Sequence, residues 1–115
     1  MKFESKAIRI QTEKSQFREH STPLYATSSF CYDNAEQMRA VFAAEEEGYI
    51  YSRFINPNST EFETKMAQLE KTEACFATAS GMSAVFASFM AFLKSGDHII
   101  ATRAIFGSTY RLLSV

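Results

Sequence analysis

The chain has 115 residues, with 12 basic and 13 acidic side chains and a net charge of −1, so it carries no electrostatic footprint for nucleic acid or an anionic membrane. No run approaches the ~18 apolar residues of a membrane span, and the N-terminus has no apolar signal core, so a cytoplasmic protein is expected. The composition is globular, 46% hydrophobic with eleven Phe, and so many aromatics in one small domain point to a larger core or a partner.

Residues 1 to about 20 are polar, with Lys2, Glu4, Lys6, Arg9, Gln11, Glu13, Lys14, Gln16, Arg18 and Glu19 in no strong period. They read as a mobile arm with at most a short helix. Pro23-Leu24-Tyr25 opens an extended Ser/Thr/aromatic stretch through Tyr32. Asp33-Asn34-Ala35-Glu36 has the spacing of a capping box, and Met38, Val41 and Phe42 follow at i, i+3, i+4. The helix they predict ends near Glu45-Glu46-Glu47-Gly48. Three glutamates oppose the helix dipole there, which favours a stop before them. Residues 48–59 read as loop, since Asn56-Pro57-Asn58-Ser59 argues against helix or central strand. Thr60-Glu61-Phe62-Glu63 is a second capping box, and Phe62, Met66 and Leu69 mark about three helical turns.

Residues 74–78 form a short apolar run without alternation, as in a strand buried on both faces. After Ser80-Gly81 comes the clearest helix, with Met82, Val85, Phe86, Phe89, Met90 and Leu93 on one stripe. Lys94-Ser95-Gly96-Asp97 closes it. Residues 98–102 read as a second strand, Ile105-Phe106-Gly107-Ser108-Thr109 as a turn, and Tyr110 opens a further element. This is the order of an α/β domain with a parallel sheet, its two strands neighbours joined by a helix over about 82–94. Cys31 and Cys75 lie in runs that read as buried. Without a CxxC or a nearby His they are expected to be free thiols, with a disulfide or a metal pair as the minor alternative, and no metal site is expected.

Three segments could carry chemistry. Ser80-Gly81-Met82 turns from a strand's carboxyl end into a helix N-terminus, where backbone N–H groups and the helix dipole favour an anion such as phosphate. An ordinary turn with Ser80 as N-cap is the plainer alternative. The lysine and spacing of a P-loop are absent. Tyr51 and Arg53, two apart on an extended segment, would face one side as a phenol and guanidinium suited to a phosphate; a packing tyrosine beside a surface arginine is the alternative. Phe106, at the same sheet edge as Ser80, could stack on a flat ring or be a core residue beside a turn glycine. His98 reads as structural.

Taken together, Tyr51-x-Arg53-x-x-Asn56-Pro57, Leu69-Glu70, Ser80-Gly81-Met82, Gly96-Asp97-His98 and Phe106-Gly107-x-Thr109-Tyr110 resemble the pyridoxal-phosphate enzymes of cysteine and methionine metabolism. These form the transsulfuration group of fold type I. The likeness runs from about Pro23 to the end. It implies an N-terminal arm, helix and interface loop over 1–59, and over 60–115 the first βαβ part of the cofactor-binding large domain. It implies that Gly81 and Met82 give N–H groups to the pyridoxal 5'-phosphate phosphate, beside Ser80. Tyr51 and Arg53 would reach the phosphate of a neighbouring subunit's cofactor, Phe106 would stack on the pyridine ring, and the arm would cross a homo-oligomer interface.

Many members carry tyrosine where this chain has Phe106. Phenylalanine there is more like the O-succinylhomoserine and O-acetylhomoserine sulfhydrylases, which make homocysteine from an O-acylhomoserine and sulfide in methionine biosynthesis. The γ-lyases and cystathionine γ-synthases are the alternatives within the family. Members run several times longer, and their Schiff-base lysine lies beyond the stretch matched here. Lys2, Lys6, Lys14, Lys65, Lys71 and Lys94 sit on the arm or at solvent-facing helix positions, none suited to an imine. The expectation is therefore an N-terminal portion with an amino-acid substrate, inactive alone. A non-catalytic phosphate-binding or interaction module is the other class.

Overall fold

In the computed structural model, which describes residues 2–10 and 14–114, five helices follow one another. They are α1 (Phe3–Arg9), α2 (Ala35–Phe42), α3 (Pro57–Glu70), α4 (Gly81–Phe92) and α5 (Gly107–Leu113). Gln11 and Glu13 of the polar arm lie outside the described residues. Contacts divide the chain into two units, Met1–Phe76 and Ala77–Val115.

In the first unit, α1 gives the arm its short helix and packs against α3. The capping box of α2 sits one residue later than its spacing suggests. Asn34, not Asp33, is the N-cap, and its Oδ1 accepts from the Gln37 N–H at 2.8 Å. Gln37 Oε1 accepts in return from the Asp33 N–H at 2.8 Å. The helix stops at Phe42, before the glutamates, and the Glu45 N–H folds back onto the Ala40 carbonyl at 2.9 Å.

Helix α3 begins earlier than expected. Asn56 caps it, Pro57 is its first residue, and Thr60, the expected cap, lies inside. Proline at the first helical position loses no hydrogen bond, because that N–H has no intrahelical partner, and its fixed φ suits the helix. The Asn-Pro pair therefore starts a helix here instead of forbidding one. Lys71 closes α3 in the left-handed region at φ 59.

Residues 28–32 run beside 49–52. Ser29 and Tyr51 form an antiparallel bridge, and the Ser52 N–H donates to the Ser28 carbonyl at 2.9 Å. The Tyr32 hydroxyl donates to the Tyr49 carbonyl at 2.9 Å, and the Phe30 and Tyr49 rings lie 5.1 Å apart. Val41, Pro57 and Ala67 are the buried apolar residues among those described.

In the second unit α4 packs against α5. Thr109 is only 5% exposed, and its hydroxyl contacts Met82 Sδ at 3.9 Å. The expected element starting at Tyr110 begins at Gly107, so the supposed turn is already the first helical turn. Neither apolar run, 74–78 or 98–102, forms a strand. A strand is defined by ladder partners, and a parallel strand buried on both faces needs a sheet neighbour and a covering layer. Ile100 is fully exposed, so no layer covers it within this chain. Both cysteines are free, but neither is buried as expected: Cys31 is exposed and Cys75 half-buried. Among the described residues no helix is long and apolar enough to cross a membrane.

Candidate functional site

Ser80 caps α4 from extended backbone at φ −158. Its Oγ accepts from the Ser83 N–H at 3.2 Å and meets the Ser83 hydroxyl at 2.9 Å. The turn before it is braced by Thr78, whose hydroxyl donates to the Ser80 carbonyl at 2.9 Å. All three bonds join near neighbours in the chain. Among the described residues, no protein acceptor takes the N–H groups of Gly81 and Met82. A Cβ at Gly81 would meet nothing within 4 Å, so the approach to these donors is open. The plainer reading of Ser80 as N-cap therefore holds, and the anion reading stays compatible with it: the hydroxyl satisfies the Ser83 N–H and leaves two donors at the positive end of the helix dipole.

Phe106 is the N-cap residue of α5 and 69% exposed, so it is not a core residue within this chain. Met82 and Thr109 each lie in the first turn of their helix, and their contact brings the starts of α4 and α5 together. Ser80, Gly81, Met82 and Phe106 thus lie at one end of a helix pair.

Tyr51 and Arg53 come together by a different geometry from the expected extended one. Residues 52–54 form a turn, closed by Phe54 and Ile55 N–H groups on the Tyr51 carbonyl at 2.9 and 3.1 Å. The Arg53 guanidinium lies over both the Tyr51 and Phe54 rings, its Cζ 5.0 Å from each centroid. Cation–π contact orients the guanidinium without consuming its N–H donors. Among the described residues the ion pairs fall elsewhere, on Arg39 and Lys65, so no carboxylate quenches Arg53.

The loop reading of 48–59 overlooked a network of polar side chains. Asn56 is 9% exposed. Its Nδ2 donates to the Tyr25 carbonyl at 3.0 Å and to Ser52 Oγ at 2.9 Å, and its Oδ1 accepts from the Asn58 N–H at 2.9 Å. Asn58 ties down the other side: Oδ1 accepts from the Tyr25 N–H at 2.9 Å, and Nδ2 donates to the Pro23 carbonyl at 2.7 Å. The available signal was two asparagines flanking a proline, both cap formers and both able to donate to backbone.

A cleft of about 370 Å³ in the second unit is lined by Asp97, His98, Thr102, Arg103, Tyr110 and Ser114, with apolar neighbours. None of the expected site residues lines it, nor the larger cavity of about 620 Å³ in the first unit beside Val41, Gly48, Tyr49 and Ile55, so cavity size is not what marks the site.

Comparison with known proteins gives one family. The family model described as Cys/Met metabolism PLP-dependent enzyme matches residues 4–115. An L-methionine gamma-lyase of Treponema denticola is 43% identical over 112 residues, covering 97% of this chain and 28% of the relative. An O-succinylhomoserine sulfhydrylase of Pseudomonas aeruginosa is 42% identical over 110 residues, covering 96% and 27%. A solved structure from Campylobacter jejuni, containing N'-pyridoxyl-lysine-5'-monophosphate, superposes with a TM-score of 0.92 at 31% identity, over 99% of this chain and 28% of that one. The chain thus spans under a third of the length of the relatives it matches.

Proposed function

We propose, since the chain belongs to the Cys/Met metabolism PLP-dependent enzymes, that it is the cofactor-cradling N-terminal part of a sulfhydrylase that makes homocysteine from an O-acylhomoserine and sulfide. In that reaction the bond from the γ-carbon to the ester oxygen breaks, a carbon–sulfur bond forms, and the acyl group leaves as its carboxylate. Bound pyridoxal phosphate supplies the electron sink for such chemistry. This chain's residues bind and orient. Gly81 and Met82 offer backbone N–H groups, and Ser80 a hydroxyl, to the phosphate. Tyr51 and Arg53 serve the phosphate of a neighbouring subunit in a homo-oligomer. Phe106 stacks on the ring and, lacking a hydroxyl, neither holds nor moves a proton.

The observation that carries the cofactor reading is the open N–H pair of Gly81 and Met82 at the head of α4. The N-terminal fold type I architecture belongs to the same proposal. In it residues 74–78 and 98–102 pair as parallel strands once the rest of the sheet is present, and 60–115 opens the large domain. A cytoplasmic setting fits. A γ-lyase is the second reading, supported by the 43% identity to a methionine gamma-lyase, one point above the sulfhydrylase. Phe106 favours the first.

The complete enzyme carrying this segment decides between them. Supplied with O-succinyl- or O-acetylhomoserine and sulfide, it should yield homocysteine, with little breakdown of methionine. Methionine cleavage without homocysteine formation would transfer the assignment to the lyase.

A further inference from the structure

We propose that Asn56 is a positioning residue for the anion-binding pair Tyr51 and Arg53, acting through Ser52; this rests on the reading of that pair given above. Ser52 lies between the two residues in sequence and at the start of the turn that presents them. Its hydroxyl donates to the Thr27 carbonyl, so its remaining capacity is as an acceptor, and Asn56 Nδ2 fills it at 2.9 Å. The orientation of the Asn56 amide is fixed by its neighbours. Oδ1 faces an N–H, that of Asn58, and Nδ2 faces a carbonyl, that of Tyr25. Reversing the amide would set donor against donor and acceptor against acceptor.

Every polar atom of a side chain only 9% exposed is thus engaged. One of those bonds reaches the turn itself, at Ser52 Oγ, and the other two anchor Asn56 to Tyr25 and Asn58. The Ser52 N–H, bound to Ser28 at 2.9 Å, completes the hold. Arg53 itself is exposed and gripped only by two aromatic faces. Its backbone position is therefore set from behind, by Asn56 and Ser52.

Asn56 also caps α3, and a test must separate the two roles. Asn56→Ser does so: serine caps about as well as asparagine but is too short to span Ser52 and Tyr25. In the complete enzyme, binding of pyridoxal phosphate is compared with that of pyridoxal, which lacks the phosphate. Asn56→Ser should lower the preference for the phosphorylated form on the order of tenfold, the scale of one charge-assisted hydrogen bond, and leave pyridoxal binding unchanged. Arg53→Ala should do the same. A purely structural asparagine would move both ligands together, and that result, or an unchanged preference beside an affected Arg53→Ala, overturns the inference. An unchanged preference in Arg53→Ala overturns the underlying reading and the inference with it. Should Asn56→Ser fail to fold, Ser52→Ala decides by the same comparison, since it removes the hydroxyl link and leaves the α3 cap in place.

Discussion

Gly48 lies where the chain leaving α2 crosses Val41, one of the few buried side chains. A Cβ there would fall 3.0 Å from both Val41 methyls, tighter than an ordinary carbon contact, so Val41 or the loop must shift. Gly48→Ala should therefore force Val41 off its rotamer and destabilise the protein by about 1–3 kcal/mol, the range for overpacking. Chemical denaturation of the variant checks this, and wild-type stability would show that the loop yields freely. Charge acts at the same corner. Arg39 pairs with Glu36 at 2.8 Å and with both oxygens of Glu45, at 3.1 and 2.7 Å. The guanidinium holds the Glu45 carboxyl below its ordinary value. A lowered folded-state pKa gives stability that is full above the unfolded value, about 4.3, and lost as pH falls through the folded one. The pair lies at the surface, so the contribution is small and screened by salt. By NMR titration the Glu45 midpoint should lie below that of a peptide glutamate and return toward it in Arg39→Gln; a midpoint indifferent to Arg39 would refute the pairing in solution.

At the scale of elements, caps decide where helices begin. Asn34 is the cap of α2, so Asn34→Ala should cost about 1 kcal/mol, whereas Asp33→Ala, which removes a side chain with no capping bond, should change stability by under about 0.5 kcal/mol. The reverse order in denaturation midpoints would restore the box to Asp33. The helices α2 and α4 were legible from the 3.6-residue period of Met38, Val41, Phe42 and of Met82 through Leu93, and the break before the glutamates from the dipole. The start of α3 was not, because Asn56-Pro57 signals both a loop and a helix start, and only the Asn56 side chain on the Asn58 N–H decides. The runs at 74–78 and 98–102 read as strands by composition but form none here, since strand formation depends on partners a local sequence does not contain. The site residues show the same split. Ser80-Gly81-Met82 was readable as a turn into a helix. The stacking of Arg53 on Tyr51 and Phe54 depends on a turn that alternation rules do not foresee.

For the whole molecule the limiting fact is exposed apolar surface. The accessible area is 9870 Å² for 13.0 kDa. A folded monomer of that mass exposes roughly 6,300 Å², and the two units counted as separate folded bodies still only about 7,600 Å². Large apolar side chains share in that exposure in both units: Phe17 is 81% and Leu24 89% exposed in the first, Phe92 86% and Ile100 101% in the second. Surfaces of this kind associate. Within the 115 residues no lysine is buried, and Lys65, half-buried, faces Glu61 at 3.8 Å. An imine-forming amine must be available unprotonated, which calls for desolvation or a neighbouring cation, and a facing carboxylate does the opposite. The 115-residue polypeptide, prepared by itself, should therefore self-associate and should not turn over homoserine esters. With pyridoxal phosphate and borohydride it should give scattered, substoichiometric labelling of exposed lysines. Sedimentation and peptide mapping test the two halves. A clean soluble monomer would show that the apolar faces find partners within the chain, and one lysine labelled stoichiometrically, with turnover, would show that the catalytic amine lies among these residues after all.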